Sequence, residues 1–178
     1  TLAHVRRWGW RFVDELCWRK DPMPGKYGAR FKNGFEPVFH FSQSTPKLIF
    51  ANVSTLSDRL PGGGGSSWAR AQGSSETILS RKSGLARPSN VVDIRGKAAR
   101  IGHSASFPVG LPAFFIKAYS DPGDIIFDPF MGSGTTMIAA ANEKRIAMGC
   151  EISPAYCDTI RQRWYRWCVK NEVDPGPD

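Results

Sequence analysis

Ile125-Ile-Phe-Asp-Pro-Phe-Met-Gly-Ser-Gly-Thr-Thr136 is the stretch from which the rest of the chain is read. Ile125 to Phe127 form a short run of the buried-strand type. A loop containing Gly132 and Gly134 follows, then an Ala-rich helix over 135–141 with Asn142 as its stop. Residues 145–150 read as a second strand, ending at Glu151. Strand, loop, helix and strand make a βαβ unit, and its parallel crossover sets the loop after the first strand beside the tip of the second.

That placement has chemical consequences. Gly132 and Gly134 lack Cβ, so a ligand can come close to the backbone. The helix start after them offers unpaired N–H groups and partial positive charge, which suit a carboxylate. Glu151 stands 17 residues beyond Gly134, where an acid can accept both hydroxyls of a ribose. A phosphate-binding P-loop would need Lys after its last Gly, and none follows Gly134. A dinucleotide fingerprint would need a third Gly where Met137 stands. Gly-x-Gly alone is equally well explained by a tight turn without a ligand. The acid at the next strand tip favours a nucleoside pocket.

Around this unit, Pro122-Gly123 is a turn, and 108–119 is a helix carrying Leu111, Phe114, Phe115 and Ala118. Ser153 reads as an N-cap with Pro154 at the first helical position. The helix after it shows Ile160, Trp164 and Trp167 on one face, and the closing Asp-Pro-Gly-Pro-Asp reads as a frayed tail. Upstream, strands are expected ending in 13–18 and over 35–42. From about 52 to 100, Gly62 to Gly65, Ser and Arg dominate, which marks an irregular insertion.

Composition narrows the classes. The 178 residues suit one domain, or one domain with a smaller inserted region. No apolar run reaches the length of a membrane span, and no secretory signal pattern is present. Cys17, Cys150, Cys157 and Cys168 form no C-x-x-C pair, and with three His residues they give a metal site no support. They read as reduced core or helix-face residues, which fits a cytoplasmic protein. Net charge is +8 and unevenly spread. Residues 1–32 and 58–100 each hold eight Lys/Arg against three acids, while 101–178 hold seven against nine. A basic half beside a mildly acidic one suggests a polyanion-facing part joined to a small-molecule part.

Asp128-Pro-Phe-Met-Gly-Ser-Gly-Thr-Thr136 resembles the S-adenosyl-L-methionine motif of the DNA amino-methyltransferases, which modify adenine N6 or cytosine N4. His103-Ser-Ala-Ser-Phe-Pro108, Leu111 and Gly123-Asp124 resemble the motif that precedes it in the permuted, β-type members. Gly149-Cys-Glu-Ile-Ser-Pro-Ala-Tyr156 resembles the acidic strand motif that follows, and 10–20 and 35–42 resemble the strands after the family's catalytic motif. The resemblance spans about 125 residues, with a gap at 43–100, and is to the C-terminal portion of such an enzyme. It implies an α/β, Rossmann-like methyltransferase fold with a partial sheet and an irregular inserted region. Three parts follow from it: 1–50 from the catalytic subdomain, 51–100 for target recognition and 101–178 for the cofactor.

The resemblance also assigns roles. Phe130, Gly132 and Gly134 would shape the methionine pocket, with Thr135 and Thr136 at the helix start. Asp128 would meet the ammonium side and Glu151 the ribose, while His103, Ser104 and Phe107 would cover the methionine end. His103 is equally a helix-entry hydrogen-bonding residue. The partner implied is double-stranded DNA in a bacterial or phage-infected cell, with Arg81, Lys82, Arg87 and Arg95 set against phosphates; a solvated insertion is the alternative for each. The family's catalytic motif is Asp, Asn or Ser followed by Pro-Pro and an aromatic, which polarises and stacks on a flipped base. The chain contains no Pro-Pro pair, so no catalytic residue is assigned. Ser153-Pro-Ala-Tyr156 is better explained by helix capping. The expectation is a chain that binds donor weakly and methylates nothing alone. A DNA- or partner-binding remnant without chemistry is the alternative.

Overall fold

The computed structural model describes residues 2–20, 28–29, 31, 33–45, 49, 53, 55–56, 85–86, 88–95 and 107–176. His103, Ser104, Arg81, Lys82 and Arg87 lie outside them. The chain divides into two compact units, Thr1–Cys17 with Pro37–Val92, and Trp18–Glu36 with Asp93–Asp178.

A helix not foreseen in the sequence, α1 (Leu2–Arg7), lies in the first unit and precedes β1 (Arg11–Arg19), whose last two residues count with the second. The second expected strand is β2 (Phe35–Ser42). A three-stranded sheet runs in the order β2-β1-β5, where β5 is Val91–Val92. β1 alternates late, so Leu16 and Trp18 are buried while its first five residues are exposed. Phe12 meets Phe41 edge-on with ring centres 5.8 Å apart. Within the stretch expected to be an irregular insertion, β3 (Thr55–Leu56) pairs antiparallel with β4 (Leu85–Ala86), two residues each, and β5 joins the three-stranded sheet; most of the stretch lies outside the described residues.

In the second unit, α2 (Gly110–Tyr119), β6 (Ile125–Asp128), α3 (Thr135–Asn142), β7 (Ile146–Gly149) and α4 (Pro154–Asn171) follow one another. β6 and β7 are parallel, Ile125 opposite Ile146 and Asp128 opposite Gly149. Side chains alternate across a strand, so Ile126 and Ala147 face the helices while Ile125, Phe127, Ile146 and Met148 face the other way. Ala113 and Ile116 of α2 meet Ala139 and Ala140 of α3 over that inner face. Both α3 alanines are wholly buried, and their small side chains let helix and sheet approach closely. The outer four are more than half exposed. β6 is therefore buried on one face only, where the sequence suggested a buried strand.

Arg145 anchors this layer. It is buried, and its guanidinium donates to Ser120 Oγ and the Ser120 carbonyl at the end of α2, and to the Glu143 carbonyl after α3. A cation there satisfies carbonyls that a helix end leaves unpaired. The sequence had read Arg145 only as a strand start. Helix α3 runs through Asn142 and closes with Lys144 in the left-handed region, φ +61°. Lys144 N–H bonds to the Ala141 carbonyl and Arg145 N–H to that of Ala140, a Schellman closure.

The end of the chain also departs from its expected form. Glu172, φ +56°, closes α4 in the same way, with Val173 N–H on the Cys168 carbonyl. Trp164 Nε1 then donates to the Pro175 carbonyl at 3.1 Å, so the tail folds back as far as Gly176 instead of fraying. Trp164 and Trp167 stack with centres 5.1 Å apart. All four cysteines are free; Cys168 is buried and Cys150 exposed. No helix of the described residues is long and apolar enough to cross a membrane.

Candidate functional site

The parallel register sets the site. Asp128 ends β6 opposite Gly149, and Cys150 N–H bonds back to the Asp128 carbonyl at 3.0 Å. Met131 N–H returns to the Cys150 carbonyl at 2.9 Å, so the loop after β6 lies across the tip of β7. A Cβ on Gly149 would fall 2.2 Å from Met131 Cε and 2.6 Å from the Asp128 carbonyl oxygen. The second contact is with backbone, so Gly149 is what lets loop and strand tip meet.

Two carboxylates organise the rim. Asp128 Oδ1 accepts from Phe130 N–H at 2.9 Å, a local turn that bends the chain out of β6. Glu151 accepts from Gly132 N–H through Oε2 at 2.7 Å and from Ser153 N–H through Oε1 at 2.8 Å. Each carboxylate oxygen has a further lone-pair site. Glu151 can therefore hold the loop and still accept hydroxyls from a ligand.

The two loop glycines do different work. Gly132 has φ +54°, and a Cβ there would meet nothing nearer than the Phe130 carbonyl at 3.9 Å. The space over it is open, as close approach by a ligand requires. Gly134 has φ +80°, but its Cβ direction is filled by Ile160 Cγ1 of α4 at 3.1 Å. Glycine is needed there for backbone conformation and helix packing, not for ligand approach. Phe130 is 86% exposed, projecting from the rim.

At the start of α3 Thr135 is buried and Thr136 half-buried. Arg163 of α4 reaches under the loop, its Nη1 donating to Ser133 O, Ser133 Oγ (3.0 Å) and Thr135 Oγ1 (3.2 Å). Burial pushes the Arg163 pKa below its ordinary value. The sequence reading missed Arg163; its only sequence signal is a spacing of three from Ile160, one turn on the same helix face.

Ser153 occupies the N-cap position with Pro154 next, but its hydroxyl makes no cap hydrogen bond. Its carbonyl instead accepts from Tyr156 and Cys157 N–H, and its own N–H belongs to Glu151. Phe107 is half-buried ahead of α2. Arg95 is exposed and ion-paired with Asp93 at 3.1 Å. The structure thus brings together Asp128, Phe130, Gly132, Gly134, Thr135, Thr136 and Glu151.

Known proteins resemble the chain in sequence and in fold. The profile of an N6/N4 methyltransferase family, described as DNA methylase, matches residues 1–162. The orphan methyltransferase M.BamHII of Bacillus amyloliquefaciens is 30% identical over an alignment of 196 positions, covering 97% of this chain and 69% of that protein. The type II beta methyltransferase M.BslI of Bacillus sp. (strain NEB-606) is 30% identical over 92% of this chain, which spans 17% of it. The M1.HpyAVI–SAM complex superposes with a TM-score of 0.60 at 23% identity, covering 90% of this chain and 66% of that one. The cytosine-N4-specific PvuII DNA methyltransferase gives 0.61 at 20% identity, covering 98% and 57%. The fold is the α/β, Rossmann-like fold of S-adenosylmethionine-dependent methyltransferases, with a partial sheet.

Proposed function

Because the chain belongs to the N6/N4 DNA methylase family, we propose that its loop at 128–136 and Glu151 form a pocket for S-adenosyl-L-methionine. The observation that carries this is the Glu151 carboxylate held 2.7 Å from the N–H of Gly132, over whose Cβ position the space is open. When bound, the donor supplies an electrophilic methyl group on a sulfonium sulfur. The chain's part is to bind and orient. The first N–H groups of α3 face the donor's carboxylate, Asp128 its ammonium, and Glu151 accepts from the ribose hydroxyls. Phe130 lines the methionine side, and His103, Ser104 and Phe107 close its end.

The reaction served is methyl transfer to the exocyclic amino group of adenine (N6) or cytosine (N4) in double-stranded DNA. The motif order is that of the permuted, β-type members. Residues 1–50 belong to the catalytic subdomain, 51–100 to target recognition, where Arg81, Lys82, Arg87 and Arg95 meet phosphates, and 101–178 to the donor. The chain has no Pro-Pro-aromatic motif, so the step that polarises the base amino group falls to a segment carrying one, in the same polypeptide or another. Calorimetric titration of the 178-residue chain with donor should show weak saturable binding, and incubation with unmethylated DNA should transfer no methyl groups. Turnover by this chain alone would refute the second part of the proposal.

A further inference from the structure

We propose that Arg163 is a positioning residue that holds the loop at 131–135 in its ligand-ready form. Ser133 cannot turn its carbonyl toward solvent while Arg163 Nη1 donates to it, and the same nitrogen reaches Ser133 Oγ and Thr135 Oγ1. One turn earlier on α4, Ile160 fills the space where Gly134 lacks a Cβ. Ile160 and Arg163 therefore grip consecutive peptide groups from below. Their grip fixes the Ser133–Gly134 peptide and, through Gly134 at φ +80°, the direction in which α3 starts.

The upper side of the same loop is fastened by Glu151 on Gly132 N–H and by the Cys150 carbonyl on Met131 N–H. The loop is thus held from both sides before any ligand arrives, and a loop ordered in advance loses less entropy on binding. Arg163 is half-buried and its hydrogen bonds run to Ser133 and Thr135 of the loop, so it acts through placement of the loop. A planar guanidinium suits several acceptors at once better than an ammonium does.

The proposal rests on reading the loop as a donor cradle, and its test separates the two. Hydrogen exchange of the 131–135 amides and calorimetric binding of S-adenosyl-L-methionine would be measured for the wild type, Arg163→Met and Arg163→Lys, well below each melting temperature. Methionine keeps the apolar stem and removes every donor. Arg163→Met should speed loop exchange and raise Kd by about tenfold, the scale of a buried acceptor left unpaired, with Arg163→Lys in between. A lowered melting temperature with exchange at 131–135 and Kd both unchanged would make Arg163 merely structural and overturn the proposal. If the wild type binds no donor, the cradle reading fails. The exchange data then decide alone: faster 131–135 exchange in Arg163→Met supports the positioning role, and unchanged exchange overturns it.

Discussion

Glu151 Oε2 accepts a 2.7 Å hydrogen bond from Gly132 N–H across 19 residues of sequence, joining the tip of β7 to the loop after β6. The carboxylate so held also accepts from Ser153 N–H. Changing Glu151 to Gln turns an NH2 group toward one of those two donors. Glu151→Gln should lose about 1–2 kcal/mol of stability and weaken donor binding further, read by denaturant melts and calorimetry. Equal stability and affinity would show that the carboxylate organises nothing.

Gly149 is the tightest steric requirement of the site. An alanine methyl would sit 2.6 Å from the Asp128 carbonyl oxygen, and backbone cannot step aside as a side chain can. Gly149→Ala should cost about 1–3 kcal/mol and separate the ends of β6 and β7. Loss of the Cys150 N–H to Asp128 carbonyl bond would appear as faster exchange at Cys150.

Arg145 satisfies carbonyls at the ends of two helices. Arg145→Met leaves Ser120 and Glu143 carbonyls short of a donor in a buried place, so thermal unfolding should show a loss of about 2–3 kcal/mol. Donor affinity per folded molecule should stay unchanged, since Arg145 touches no part of the loop at 128–136 in the bonds it makes.

Lys144 holds a left-handed backbone at φ +61° without being glycine. Lys144→Gly should therefore stabilise the chain by about 0.5–1 kcal/mol, the usual gain at a helix-closing C′ position, measured in denaturant melts. A loss of stability would mean that the Lys144 side chain contributes more than its backbone costs.

Arg81, Lys82 and Arg87 are proposed to contact phosphates. Replacing all three with Ser should make the dependence of log K for DNA on log salt shallower by up to about 2.7, close to 0.9 per contact. An unchanged slope would remove them from the footprint.

Much of the fold is legible in the sequence where its signals are local. β-prone residues gave β2, helical spacing α2, a short apolar run β6 and an Ala-rich stretch α3, with β7 as the next strand, all to within a residue or two, and the loop glycines with Glu151 pointed to one sheet edge. What stayed hidden depends on long-range contacts. Arg163 looks like any helix cation until α4 lies under the loop. The need for glycine at 149 appears only with the parallel register, and the different duties of Gly132 and Gly134 only once Ile160 fills one side. The folded-back tail escaped because Asp, Pro and Gly mark a turn as readily as a frayed end. Its anchor, Trp164, lies eleven residues away.

The most direct test is an amide NMR titration of the chain with S-adenosyl-L-methionine, read residue by residue. Saturable shifts should concentrate at Gly132, Ser133, Gly134, Thr135 and Glu151, and should be strongly reduced in Glu151→Gln. Shifts absent at millimolar donor, or gathered elsewhere on the chain, would contradict the assignment of this loop and acid as the methyl-donor pocket.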